Sequence, residues 1–236
     1  MKFFISAAAL ALSVTAAQAA TVDFGTNFDA TDSAATTTSH GELFTAFDFG
    51  NGLTGTVSVV NGFNSQAQVG EARIFDTNET GTADPDLEGD FTNAMDSSDV
   101  QNFGKALIIQ ERAGVASAIP DDEGRGGIIT FSFDNKIDLL GVTYLDGEKG
   151  AIVNSANDLL GSFGSGVSGD NKFVDLDLTA SADAYGITGF SVQYNGSGAI
   201  GALDLQVSAV PLPAGLPLLA AGLIGLGYAR SQRKKA

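Results

Sequence analysis

The chain has 236 residues, no Cys, no Trp and one His, and its 28 acidic against 12 basic residues give a formal charge of −16. Without cysteine there are no disulfides, and with a single histidine there is neither a zinc site nor Cys–His catalysis. The acid excess argues against nucleic acid and anionic membrane surfaces as partners.

The N-terminus reads as a secretory signal peptide over 1–19. Lys2 supplies the positive charge, Phe3 to Ala16 the short apolar core, and Ala17-Gln18-Ala19 a small-x-small cleavage site. The mature chain is expected to begin at Ala20 or Thr21. The body, 20–208, then holds all 28 Asp and Glu and only seven Lys and Arg, a formal charge of −21. That length is enough for one domain with a real core. Asp29 to Ser39 is rich in Ala, Thr and Ser and reads as a flexible lead-in.

From there the pattern is of strands. Leu53 to Val60 alternates, with Leu53, Val57 and Val59 on one face and Thr54, Thr56 and Ser58 on the other. Further strands are expected at Leu43–Phe49, Gln68–Phe75, Ala106–Gln110, Ile128–Phe133, Leu139–Leu145, Leu159–Phe163, Phe173–Leu178, Ile187–Tyr194 and Ala199–Val207. Asn51-Gly52, Asn61-Gly62, Asp146-Gly147 and Asn195-Gly196 mark turns between them. No helical periodicity with caps is evident in the body. The expectation is an all-β domain, a single β-sandwich of jelly-roll type.

Thr77 to Phe103 is the longest stretch without an obvious strand, and such stretches are functional or disordered. Asp84-Pro85-Asp86-Leu87-Glu88-Gly89-Asp90 within it places acidic residues at alternating positions before a glycine. This imitates the start of an EF-hand loop. It departs at Glu88, and its twelfth position is Met95. Asp84, Asp86 and Glu88 are the candidate calcium ligands, with Asp76 or Asp90 as additions; a solvated acidic loop is the other reading. Asp121-Asp122-Glu123-Gly124 could serve the same ion or a second one, or be an exposed turn. Asp146-Gly147-Glu148 is a similar turn. Asp175 and Asp177 alternate and should face solvent together.

Other chemistry is thin. His40 reads as exposed and lacks a nucleophile elbow to serve. Gly164 to Gly169 matches G-x-G-x-x-G with no helix after it, a chance match. Sugar stacking has only Tyr144, Tyr185 and Tyr194 to draw on, and the carbohydrate-binding residues are left unassigned. A carboxylate-pair glycosidase would need a pair that nothing singles out. The chain reads as non-enzymatic.

The C-terminus, 209–236, has three parts. Val210-Pro211-Leu212-Pro213-Ala214 is followed by an apolar stretch, expected to be helical over 216–229, and then by Arg230, Arg233, Lys234 and Lys235. The stretch would be roughly 21 Å long, short of a ~30 Å bilayer core. It suits a provisional membrane anchor, with the basic residues on the cytoplasmic side. The prolines keep the chain extended, where a protease can reach its backbone.

These residues resemble the VPLPA variant of the PEP-CTERM sorting signal, with the three parts in the family's order. The resemblance implies recognition and cleavage by an exosortase, transient anchoring in the inner membrane, and delivery to the cell surface or extracellular matrix. A second resemblance rests on Ile74–Thr77, Asp84–Leu87, Leu107–Glu111, Pro120–Asp122, Gly127–Phe133, Leu145-Asp146 and Gly198–Ile200. It is to the bodies of other PEP-CTERM proteins and implies a galactose-binding-like jelly roll. Such bodies often carry Ala-Ile-Asp-Asn before the last strand, where this chain has Ala199-Ile200-Gly201-Ala202. The expected function is an exported structural or adhesive protein of an exopolysaccharide matrix, stabilised by Ca2+. A carbohydrate-binding module and a glycan-active enzyme are the alternatives.

Overall fold

The computed structural model describes residues 19–28, 35–62, 68–111, 119–147, 149–163, 171–209 and 222–223. Their strands, in chain order, are β1 (Ala20–Asp23), β2 (Thr26–Phe28), β3 (Ala35–Thr37), β4 (Ala46–Asp48), β5 (Thr54–Asn61), β6 (Gln68–Val69), β7 (Ala72–Asp76), β8 (Phe91–Asn93), β9 (Val100–Gln101), β10 (Lys105–Ile109), β11 (Gly127–Leu145), β12 (Gly150–Asn154), β13 (Leu159–Phe163), β14 (Lys172–Asp177), β15 (Ile187–Tyr194) and β16 (Ala199–Val207). Two short 3-10 turns, Pro85–Leu87 and Ala182–Ala184, interrupt them. The fold is all-β. One mixed sheet takes in fourteen strands, and β2 and β3 pair separately.

β11 organises the sheet. Its 19 residues were expected as two strands, Ile128–Phe133 and Leu139–Leu145; they form one. The first half pairs with β5 on one side and β15 on the other. The second half pairs with β16 and β14. The register with β15 shifts between Ser132 and Ile137, where Asp134, Asn135 and Lys136 are all exposed. Extra residues of this kind bend a strand and increase its twist. The sheet thereby acquires two wings. One runs β13-β12-β15-β11-β5, with β4 and β6 on the outer edge of β5. The other places β14, β8 and β9 on one side of β11 and β16 on the opposite side, with β1 and β10–β7 beyond it.

The wings face one another across the main core. Tyr144 of the second wing lies 3.8 Å from Phe163 and 5.0 Å from Tyr194 of the first, centroid to centroid. Phe24, Phe44, Phe47, Phe49, Phe131, Phe133 and Phe190 extend the same core. Aromatic burial on this scale stabilises a domain that has no disulfides to do so. The expected faces of β5 hold: Val57 and Val59 are buried and Ser58 is exposed.

A second core lies on the outer face of the second wing. β10 is buried on both faces: Leu107 and Ile109 point into the main core, Ala106 and Ile108 into the smaller one. This accounts for its unbroken apolar run. Leu87, Phe91 and Phe103 complete the smaller core, so Thr77–Phe103 is a packed cover carrying β8 and β9. The expected lead-in, 29–39, contains β3, while 29–34 lie outside the described residues. Gly70-Glu71 splits the expected strand at 68–75 into β6 and β7. His40 is half-buried: its Nδ1 accepts from the Asp76 N–H at 3.0 Å, and its ring meets Phe75 edge-on.

Among the described residues no helix is long and apolar enough to cross a membrane. The expected signal peptide apart from Ala19, the motif Val210–Ala214, the stretch 216–229 expected to be helical and the basic residues 230–235 lie outside the described residues. Gly222 and Leu223 are exceptions, and both are helical.

Candidate functional site

The cover carries Asp84 inward. Pro85 starts the 3-10 turn, and Leu87 at its end is fully buried in the smaller core. Asp84, just before the turn, is 5% exposed. Its Oδ2 accepts the backbone N–H of Asp122 at 3.2 Å. Asp122 is in place because the chain after Pro120 makes an antiparallel bridge, Gln110 with Asp122. Glu111 N donates to Asp121 O and Glu123 N donates to Ile109 O, each at 2.9 Å.

One carboxylate oxygen each from Asp84, Asp121 and Asp122 lies within 4.8 Å of the other two. Asp86 is within side-chain hydrogen-bonding reach of Asp84. Burial pushes the Asp84 carboxyl up to about 10, helped by its hydrogen bond with Asp86 and by the charges of Asp122 and Asp86. Burial also raises Asp122, although Ser197 Oγ and the Gly198 N–H both donate to its Oδ2. Gly198 suits this place because its φ is +150°, and a Cβ there would lie 2.5 Å from the Tyr144 hydroxyl. Tyr194, stacked on Tyr144, is raised by burial and then by Asp122. Neither Asp84 nor Asp122 has an ion-pair partner among the described residues; the ion pairs formed there join Arg73 to Glu71, Lys105 to Asp76 and Arg125 to Glu123. All-oxygen donors of this kind can hold a hard divalent cation.

The structure regroups the residues singled out in the sequence. Asp84 stays at the centre and Asp86 at its edge. Glu88 turns away: its Oε1 accepts from Thr82 N at 2.6 Å and from Thr82 Oγ1 at 2.8 Å. Asp76 binds Lys105, and Asp90 accepts from Asn102. Asp121 and Asp122 join Asp84 from 37 and 38 residues further along the chain. Gln110 was missed altogether. Its only signal was a polar residue ending an apolar strand. Glu123 is buried and holds Arg125, which is itself exposed.

A second feature lies on the outer face of β14, β11, β16 and β1. Thr21, Gly141, Thr143, Asp175, Asp177 and Asp204 line an open groove of about 370 Å³. Thr143 Oγ1 donates to Asp175 and Thr21 Oγ1 to Asp204, each at 2.6 Å. Asp175 and Asp177 face solvent there. Tyr185, 42% exposed, donates to the carbonyl of Thr179 at the groove's margin.

Compared with models of known protein families and with characterised proteins, the chain matches none.

Proposed function

We propose that this chain is an exported, exosortase-sorted protein whose folded body is a non-enzymatic β-sandwich of jelly-roll, galactose-binding-like type. It serves a structural or adhesive role at the cell surface or in an exopolysaccharide matrix. The observation that carries the reading is the C-terminal order of Val210–Ala214, apolar stretch and basic tail, paired with a signal peptide at the other end. The body is consistent with that destination. It is cysteine-free, strongly acidic and built on an aromatic core shared by two facing wings. The paired carboxylates are enclosed, which suits a structural role better than catalysis on a polymer. Deletion of 210–236 in the native host tests the reading. Processing and surface retention should be lost, and unchanged display would refute it.

A second reading, a carbohydrate-binding module, is favoured by the groove with Thr21, Thr143, Asp175 and Asp204. Its hydroxyls and carboxylates suit a hydroxyl-rich glycan, and Tyr185 offers an aromatic face beside it. Glycan binding abolished by Asp175→Asn or Asp204→Asn would support it. Silence across the host's own matrix polysaccharides would remove it.

A further inference from the structure

We propose that Asp84, Asp121 and Asp122, together with the side-chain carbonyl of Gln110, bind one Ca2+ that fastens the Thr77–Phe103 cover to the C-terminal end of β10. The first support is geometric. Calcium takes oxygen ligands at ~2.3–2.6 Å, so two ligands on opposite sides of one ion are separated by about 4.6–5.2 Å. The three carboxylate oxygens fall inside that span. Mg2+, at ~2.0–2.1 Å with rigid octahedral demands and tightly held water, suits a loosely spaced set less well.

The second support is independent of the acids. The hydrogen bonds flanking Gln110 and Asp122 come from the neighbouring residues, which makes these two a non-hydrogen-bonded antiparallel pair. Such pairs bring side chains on one face to their closest approach. Gln110 is only 2% exposed, and its Nε2 donates to Ile119 O. Its Oε1 has no hydrogen-bond partner. The Tyr194 hydroxyl, 1% exposed and within the field of Asp122, has none either. Buried oxygens without partners are costly and uncommon. A cation and its bound water would satisfy both: the amide oxygen as a ligand, the phenol by donating to a ligand or accepting from the water.

The consequence is mechanical. Asp84 comes from the cover, Asp121 and Asp122 from the segment before β11, and Asp122 also holds the β15–β16 turn through Ser197 and Gly198. One ion would fix three separate loops in a protein without disulfides. Beyond the oxygen spacing, choosing calcium rests on the export reading above, since calcium is abundant outside the cytoplasm; the site itself does not rest on that reading.

Terbium luminescence tests the site directly, because Tb3+ replaces Ca2+ and tyrosine is the antenna in a chain without Trp. The full chain in detergent should show tyrosine-sensitised emission that Ca2+ displaces and Mg2+ does not. Asp122→Asn and Asp84→Asn should weaken binding about tenfold or more, since affinity follows ligand charge. Gln110→Leu should weaken it less. Glu88→Gln should leave it unchanged, and Tyr194→Phe should retain binding. Native-like circular dichroism of each variant separates loss of the site from loss of the fold. Emission insensitive to Asp84→Asn and Asp122→Asn, or transferred to Glu88→Gln, would overturn the proposal. Loss of surface sorting would not bear on it, and failure of Tb3+ binding would leave the sorting reading intact.

Discussion

Two buried carboxylate sites in this protein have opposite surroundings. Asp138 sits on β11 among donors: Gly186 N at 2.8 Å, Gln206 Nε2 at 2.9 Å, and Ser208 Oγ. Burial pushes its carboxyl up, but these three donors outweigh burial and hold it below the usual value. Asp84 sits among acids: burial, its hydrogen bond with Asp86 and the charges of Asp122 and Asp86 all push it upward, and the Asp122 N–H alone opposes them. The protein can therefore satisfy a buried carboxylate from its own side chains where the role is to close a strand end. At Asp84 and Asp122 it sets acids beside one another, with donors to each but no cation among the described residues. Such a pair either takes up a proton, as the raised Asp84 value reflects, or is matched by a positive partner from outside.

The largest expected effect comes from detaching the cover. Leu87→Ala empties a fully buried position one short turn from Asp84. It should cost about 2–5 kcal/mol in denaturant unfolding. It should also weaken the response to calcium, because Asp84 loses its support. A loss of stability with an unchanged calcium response would separate the cover from the cluster.

Next, one substitution should act with opposite signs at the two sites. Asp138→Asn exchanges a charged acceptor with three donors for a neutral one and should cost about 1.5–3 kcal/mol at pH 7. The folded pKa of Asp138 is lowered, so its contribution is present above the unfolded value of ~3.9 and is lost as pH falls through the folded value. The stability gap between wild type and Asp138→Asn should thus be flat near neutrality and close below about pH 4. Asp84→Asn, measured in chelator, should instead stabilise by about 1 kcal/mol, since it removes a carboxyl that burial keeps protonated at neutral pH at a cost to folding, while keeping an oxygen for the Asp122 N–H. Destabilisation in chelator would mean that Asp84 is an ordinary structural carboxyl.

The strands were legible where one face is buried, as in β5, β13, β15 and β16, because period-2 alternation survives in the sequence. β10, buried on both faces, was legible from its apolar run; the reading failed where exposed residues interrupt a strand or pairing is short. β11 looked like two strands because Asp134, Asn135 and Lys136 interrupt its pattern while the backbone continues through them. β8 and β9 are too short to leave a signature, and their place is set by Phe91 and Phe103 in the smaller core. At the site, local spacing singled out Asp84 with Asp86 and Glu88, and separately Asp121-Asp122. The structure brings Asp84 to Asp121 and Asp122 and turns Glu88 to Thr82, because alternation in sequence does not survive the 3-10 turn at Pro85. The convergence depends on a strand pairing, Gln110 with Asp122, that no local pattern encodes.

The most direct measurement is the unfolding midpoint of the full chain in EDTA, in magnesium and in calcium. A specific site filled at ~100 times its dissociation constant adds about 2.7 kcal/mol. For a body of this size that is a rise of about 5–10 °C. The account predicts that rise with calcium alone, and its absence in Asp122→Asn. Equal small shifts with both ions would contradict it, and would reduce the metal effect to screening of a strongly acidic surface.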